Sequence, residues 1–229
     1  MVKIQTIEKL FYFILVYSYL LLPLLFLFNI SRKKEAILIA VYGFLFFGLL
    51  NIYKHLPTKD LRILYLSLYT FLEYSFFATL IGISIRNKNF RWVIVILSFL
   101  FLVFQVTYYL TADFKRLDSI PIGIETILIL IYVAYYFYHF FKVRTDRYIY
   151  QEPSFWMIVG ILIYLGGTFF FNILVNHVER KQYEDFWYLT YIPDILKNML
   201  LAFCIFLYTR SFKKESKKSN SKLPYLDMI

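Results

Sequence analysis

Cysteine, histidine and recognisable catalytic motifs are scarce in this chain of 229 residues. Cys204 is the only cysteine, so an intrachain disulfide is impossible. The three histidines, His55, His139 and His177, fall on or beside different apolar segments and lack the spacing of metal ligands. The sequence also has no glycine-rich phosphate loop, no GxSxG motif and no internal repeat. We therefore expect no metal site, no cofactor and no enzymatic activity.

Apolar residues, by contrast, are abundant and fall in long blocks. The chain is 60% hydrophobic and 22% aromatic, whereas a soluble domain contains about 45–50% apolar residues. Blocks of roughly 20 residues match a hydrocarbon core of about 30 Å crossed at 1.5 Å per residue. A soluble protein of this composition would need helices that are apolar on every side, and a chain this short cannot bury them. The composition predicts an all-α integral membrane protein.

The blocks predict a bundle of seven transmembrane helices in residues 1–211, followed by a basic, disordered tail in residues 212–229. Short connections favour antiparallel packing of neighbouring helices. The predicted spans are residues 10–30, 36–54, 63–85, 92–112, 121–142, 154–176 and 188–210.

The net charge of +10 comes from lysine and arginine in the short connections and the tail. This pattern is typical of residues that set membrane topology and meet anionic headgroups, so we expect the lipid bilayer and not nucleic acid as the partner. Of the 25 basic residues, 15 fall on one side of the predicted membrane and 9 on the other, with Lys197 inside a span. The positive-inside rule then places the N-terminus outside and the C-terminus in the cytoplasm.

The segment Tyr191–Asn198, YIPDILKN, contains the most unusual residues of the chain. Asp194 and Lys197 lie three residues apart on one face of the last predicted span. Ionisable groups in hydrocarbon cost several kcal/mol, and they usually pair and face the bundle interior. If Pro193 instead begins the helix, both residues move toward the interface and Lys197 extends its amine to water.

Other spans contribute polar residues at similar predicted depths. Glu73 lies in the middle of span 3, where an unpaired carboxylate would be protonated or attract a cation, and Lys197 is its expected partner. The remaining candidates lie in the outer half of the predicted bundle: Glu125, Asn172, Gln105 and Asn51. Together these residues predict a ligand pocket or charge pair that is open to the outside.

Simpler explanations apply to some of these residues. Glu125 follows Pro121 and is readily explained as a first-turn carboxylate favoured by the helix dipole. Asparagine, glutamine and threonine in membrane helices commonly hold neighbouring helices together without binding a ligand.

Two stretches carry a family resemblance. QEPSFWMIVGILIYLGGTFFF (Gln151–Phe171) and DILKNMLLAF (Asp194–Phe203) resemble uncharacterised seven-span proteins of Bacteroidota, which are often encoded beside two-component histidine kinases. The resemblance covers spans 5 to 7 and rests on mostly apolar motifs. It implies a bacterial inner (cytoplasmic) membrane, a signalling role and a histidine kinase or other signalling membrane protein as partner.

Three functions are compatible with the sequence. The first is a non-enzymatic sensor or signalling protein that responds to an unknown small ligand and acts through a partner. The second is a small proton-coupled or solute transporter that uses Glu73, Asp194 and Lys197, although no inverted repeat is visible. The third is a retinal-binding pigment, because the lysine of span 7 and the carboxylate of span 3 resemble those of microbial rhodopsins. Span 3 lacks the arginine of that family, and Asp194 and Lys197 are spaced three residues apart, not four.

Overall fold

A computed structural model of the chain describes residues 2–28, 33–53, 55–111, 119–143, 149–174 and 187–220. These residues form seven α-helices and two short 3₁₀ turns, Ile149–Gln151 and Trp187–Thr190, without a strand among them. The α-helices are α1 (Val2–Phe28), α2 (Lys34–Tyr53), α3 (Lys59–Ser84), α4 (Lys88–Thr111), α5 (Ser119–Val143), α6 (Pro153–Leu174) and α7 (Tyr191–Asn220).

Six of these helices contain a stretch that is long and apolar enough to cross a membrane. The stretches are Thr6–Phe28, Lys34–Tyr53, Asp60–Ser84, Lys88–Thr111, Ile120–Lys142 and Trp187–Arg210. In α6 the described apolar stretch, Pro153–Phe169, is shorter. The prediction of an all-helical bundle is confirmed, and the six apolar helices indicate a multi-pass membrane protein.

Consecutive helices pack against each other from α1 to α7, and α7 returns to α1. The most extensive contacts join α6 to α7, α1 to α2 and α1 to α7. Helix α3 also contacts α5 and α6. By contrast α4 packs mainly on α3 and α5 and is the least buried of the six apolar helices. Its outer side exposes large apolar residues such as Trp92 and Phe99, as expected of a lipid-facing surface.

Helix α7 is longer than the sequence predicts. It continues without interruption to Asn220, so residues 212–220, predicted as part of a disordered tail, extend the last helix. Residues 221–229 lie outside the described part of the chain. The lysine-rich stretch after Arg210 is polar enough to resemble a tail, but a helix that is already nucleated is extended at little cost per added residue.

Two close contacts between helices depend on glycine. In α1, Pro23 lacks an amide N–H, so it cannot donate the helical hydrogen bond to the carbonyl of Tyr19. Gly43 of α2 packs on this carbonyl, and a Cβ atom at position 43 would lie 2.7 Å from Tyr19 O and 2.7 Å from Leu22 Cβ. In α6, a Cβ atom at Gly167 would lie 2.7 Å from Pro193 Cβ. All these distances are too short for non-bonded atoms. Only glycine therefore allows α2 to approach α1, and α6 to approach α7, at these positions.

The substitution Gly167→Ala is expected to destabilise the bundle by about 1–3 kcal/mol, because the methyl group overpacks the contact between α6 and Pro193 of α7. Gly166→Ala is a matched control, since nothing lies within 4 Å of a Cβ atom there. The free energy of unfolding of both purified variants can be measured by denaturant titration in detergent. Equal stabilities would mean that the two helices do not depend on this contact.

Candidate functional site

Lys197 is the centre of the polar interior. Its side chain has no exposed surface, although it carries a charged amine on an apolar helix. It lies ten residues after Trp187 and thirteen before Arg210, the ends of the apolar stretch of α7, which places it about 15 Å from the nearer end. Pro193 is the third residue of α7, yet Lys197 does not extend toward water. The interfacial alternative for this lysine is therefore wrong.

The ammonium group of Lys197 has two hydrogen-bond acceptors and a close ion-pair partner. Lys197 Nζ lies 2.7 Å from Asp194 Oδ1 and donates to Tyr42 OH at 2.6 Å and to Tyr19 OH at 3.3 Å. The Asp194 carboxylate in turn accepts from Tyr19 OH, at 2.9 Å and 3.0 Å from its two oxygens. Asp194 is thus the closest acidic partner of Lys197. Tyr19 OH also joins the two groups, because it accepts from Lys197 and donates to Asp194.

Glu73 of α3 is the second acidic group beside the ammonium group. Its Oε1 atom lies 3.7 Å from Lys197 Nζ, which is an ion-pair distance but not a hydrogen bond. Tyr164 OH donates to Glu73 Oε2 at 2.9 Å, and Tyr42 OH donates to Oε1 at 3.4 Å. Tyr42 therefore stands between the ammonium group and the glutamate, accepting from the first and donating to the second.

Aromatic rings enclose the charge. Lys197 Nζ lies 3.9 Å from the centre of the Tyr164 ring, and between 5.1 and 5.4 Å from the rings of Tyr42, Tyr19 and Phe77. These distances are within the range of cation–π attraction, which is stronger away from water. We refer to Lys197, Asp194, Glu73, Tyr19, Tyr42 and Tyr164 as the Lys197 cluster.

The Lys197 cluster joins five helices, α1, α2, α3, α6 and α7, at one level of the bundle. Its charged members are buried, with 8% of Asp194, 5% of Glu73 and none of Lys197 exposed. The sequence predicts a pocket open to the outside, whereas the structure shows these three groups enclosed by the bundle. With both carboxylates ionised, the cluster carries two negative charges and one positive charge. The cluster is thus a buried charge network whose charged groups are joined through tyrosine hydroxyl groups.

Asn198, next to Lys197, forms a separate bridge to α1. Its side chain is fully buried and its Nδ2 atom donates to Ser18 Oγ at 2.8 Å. Ser18 Oγ itself donates to the carbonyl of Leu15 at 2.7 Å, so it must accept from Asn198. The amide oxygen of Asn198 is left without a hydrogen-bond partner in the described structure.

Gln105 of α4 and Glu125 of α5 are also buried. Gln105 is 5% exposed and its Nε2 atom donates to the main-chain carbonyl of Ser67 at 2.6 Å. Glu125 is 3% exposed, and no described donor reaches its Oε1 atom. It is the seventh residue of α5, which begins at Ser119. The first-turn explanation of Glu125 is therefore wrong, because the helix dipole acts mainly within the first turn.

Asn51, a predicted pocket residue, does not join the Lys197 cluster. Asn51 is exposed, and its Nδ2 atom donates to the carbonyl of Phe47 on its own helix at 2.8 Å. This local hydrogen bond satisfies the amide and holds it near the end of α2, away from the interior. Asn172 lies in α6 by its backbone, but its side chain is outside the described residues.

Sequence reasoning missed Tyr19 and Tyr42, whose hydroxyl groups accept hydrogen bonds from Lys197. The chain has 22 tyrosines, and most of those in membrane proteins are read as interfacial anchors. The available signal was position: Tyr19 and Tyr42 fall in the middle of their predicted spans, far from either interface.

The substitution Tyr19→Phe tests the hydroxyl without removing the ring. We expect a loss of about 1.5–3 kcal/mol in the free energy of unfolding, because hydrogen bonds to Asp194 and from Lys197 both involve charged partners. Tyr17→Phe, on the same helix and 51% exposed, should change stability by less than about 0.5 kcal/mol. Equal effects of the two substitutions in a denaturant titration would contradict the assigned hydrogen bonds.

Among the residues that the structure describes, no group of three or more histidine, cysteine, aspartate or glutamate side chains could hold a metal ion. Cys204 is buried in α7 and its thiol donates to the carbonyl of Pro153 at 3.1 Å. It therefore packs α7 against the start of α6.

Comparisons of the chain with protein-family models, with curated proteins and with solved structures give no match.

Proposed function

We propose that this protein is a non-enzymatic membrane sensor in which the Lys197 cluster sets the packing of α7. One observation carries the proposal. Helix α7 contains both the buried ion pair of Asp194 with Lys197 and the extension beyond the apolar stretch. Lys197 is 23 residues before Asn220 in the uninterrupted α7, a distance of about 34 Å along the helix axis. A shift of the helix at the cluster is thereby transmitted to its far end.

The cluster has the properties of a two-state element. Hydrogen bonds to Tyr19 of α1 and Tyr42 of α2 hold Lys197 of α7. The ion pair with Glu73 of α3 and the ring of Tyr164 of α6 hold the same amine. A small ligand or a proton that changes this charge balance would favour a different arrangement of the same residues, and a ligand can shift the equilibrium only by its differential affinity for the two states. The enclosed cluster is the resting arrangement, and the outward-facing pocket forms when the bundle opens.

Seven membrane spans, with the N-terminus outside and the C-terminus in the cytoplasm of a bacterium, complete the proposal. The excess of lysine and arginine on the C-terminal side supports this orientation, and the 22-residue length of α6 supports its role as a span. The α7 extension then lies in the cytoplasm, where a partner such as a histidine kinase can contact it. An impermeant maleimide should label Lys181→Cys in intact cells, but should label Lys142→Cys only after the cells are permeabilised.

A proton-coupled or solute transporter is the second candidate. One observation favours it: three buried carboxyl groups, Glu73, Asp194 and Glu125, accompany a single buried lysine. A retinal-binding pigment has less support, because the amine that would bind retinal already donates two hydrogen bonds, pairs with Asp194 and is enclosed by four aromatic rings.

The proposal is tested by comparing signalling with flux in cells that naturally make the protein. Transcript profiles are measured for wild type, a gene deletion, Lys197→Met and a chain truncated after Phe212, and proton or solute flux is measured in membrane vesicles from each strain. We expect the deletion, the truncation and Lys197→Met to alter the same set of transcripts without changing flux. Lys142→Met, which removes an exposed lysine of α5, is the matched control and should behave as wild type.

Immunoblots of the membranes establish that each variant accumulates, and the truncation separates signalling from stability because it leaves the Lys197 cluster intact. Flux that depends on Lys197 and survives truncation would replace the sensor with a transporter. Transcripts that do not respond to the truncation would refute transmission through α7.

A further inference from the structure

A second polar site lies outside the Lys197 cluster, and Gln105 fixes its geometry. The main-chain carbonyl of Ser67 can only accept a hydrogen bond, so the atom of Gln105 that lies 2.6 Å from it must be the Nε2 donor. The alternative amide orientation would place two acceptors against each other. The Oε1 atom of Gln105 consequently points elsewhere, and it has no hydrogen-bond partner among the described residues.

Glu125 also has a side-chain oxygen without a hydrogen-bond partner among the described residues. Its Oε1 atom is buried and lacks a partner in the described structure. The amine of Lys197 donates to Tyr42 and Tyr19 and forms ion pairs with Asp194 and Glu73. None of these contacts involves Glu125.

The two residues lie at the same level of neighbouring antiparallel helices. Gln105 is six residues before Thr111, the last residue of α4, and Glu125 is six residues after Ser119, the first residue of α5. Both positions are about 9 Å from the same end of the bundle. Helices α3, α4 and α5 all pack on one another, and Ser67 of α3 holds the Gln105 amide at this level. Two buried acceptor oxygens thus lie at one level of the bundle, and neither has a donor among the described residues.

We infer that Gln105 and Glu125 form a binding site for a small monovalent cation, either a proton or an alkali ion. An acceptor oxygen buried without a donor costs about 1–3 kcal/mol, and more when it is charged. A cation shared by a carboxylate and an amide oxygen removes both deficits at once. A single carboxylate matches a single positive charge, whereas sites for divalent calcium contain more oxygen ligands and usually several carboxylates. This site differs from the Lys197 cluster and is independent of whether the protein is a sensor.

The site can be tested on the full chain in lipid nanodiscs with two measurements. Infrared difference spectroscopy detects the carbonyl stretch of a protonated carboxyl group. Thermal unfolding in increasing NaCl or KCl, with N-methyl-D-glucamine chloride holding the ionic strength constant, detects an alkali ion. Glu125→Gln removes the charge while preserving the shape of the side chain, and Gln105→Leu removes the amide oxygen. Asp60→Asn, which changes an exposed carboxylate of α3, is the control.

A bound proton predicts a carboxylic-acid band in wild type and Asp60→Asn that is lost in Glu125→Gln and shifted in frequency in Gln105→Leu. A bound alkali ion predicts a Tm that rises with NaCl or KCl in wild type and Asp60→Asn, but not in Glu125→Gln. The inference is overturned if Glu125→Gln retains both the band and the salt response of wild type. It is equally overturned if wild type shows neither. Both measurements use the isolated protein, so their result is separate from the transcript test of the sensor.

Discussion

Lys197→Met should destabilise the folded bundle by about 3–5 kcal/mol, the largest effect expected of any single substitution in this chain. Removing one partner of a buried ion pair leaves the other charge uncompensated in a medium that solvates it poorly. Here two carboxylates lose their common cation: Asp194 at 2.7 Å and Glu73 at 3.7 Å from the amine. Denaturant titration of the purified protein in detergent measures the change in free energy of unfolding.

Double substitutions show which carboxylate depends on Lys197. Lys197→Met combined with Asp194→Asn should recover part of the loss, because the charge that was left unpaired is removed together with its partner. Lys197→Met with Glu73→Gln should also be tolerated better than the separate losses imply. The recovery should be smaller in this case, since Tyr164 and Tyr42 still hold Glu73. Strictly additive losses in both pairs would show that neither carboxylate is coupled to the lysine.

Gly43→Ala should cost about 1–3 kcal/mol, although it adds one methyl group. A Cβ atom at this position would lie 2.7 Å from the carbonyl oxygen of Tyr19 and 3.0 Å from Pro23 Cδ. A backbone atom and a proline ring cannot move aside as a flexible side chain can, so α1 and α2 must separate. Because Tyr19 belongs to the Lys197 cluster, its hydrogen bonds should weaken as well.

Gly48→Ala is the control for this prediction. Gly48 lies on the same helix, and nothing is found within 4 Å of a Cβ atom there, so the added methyl group should be neutral or slightly stabilising. The free energies of unfolding of the two variants are compared in the same detergent. A Gly43→Ala protein as stable as Gly48→Ala would mean that α1 and α2 do not pack at the observed distance.

Gly43→Ala and Lys197→Met affect two different contacts on which the Lys197 cluster depends. Gly43 permits α1 and α2 to come close enough for Tyr19 and Tyr42 to reach a common point, with ring centres 5.8 Å apart. Lys197 then occupies that point from α7. The stability of the charge network therefore depends on the close packing of Gly43 on the backbone of Tyr19.

The sequence by itself determined the helical, membrane-embedded character of this protein, because the length and composition of an apolar block are local properties. It also indicated that Asp194, Lys197, Glu73, Gln105 and Glu125 are unusual, since ionisable and amide groups are costly in hydrocarbon wherever their partners lie. Neither inference requires knowledge of which helices touch.

Only the tertiary structure decided which side chains form hydrogen bonds with one another. Asn51 and Gln105 look alike in the sequence, yet Asn51 turns back to its own helix and Gln105 crosses to Ser67 on α3. Tyr19 and Lys197 are 178 residues apart in the chain and meet because α1 packs on α7. Hydrogen bonds between distant segments depend on the rotation and spacing of whole helices, which are set by contacts such as that of Gly43 with α1. The polar pattern of each helix, read alone, does not contain that information.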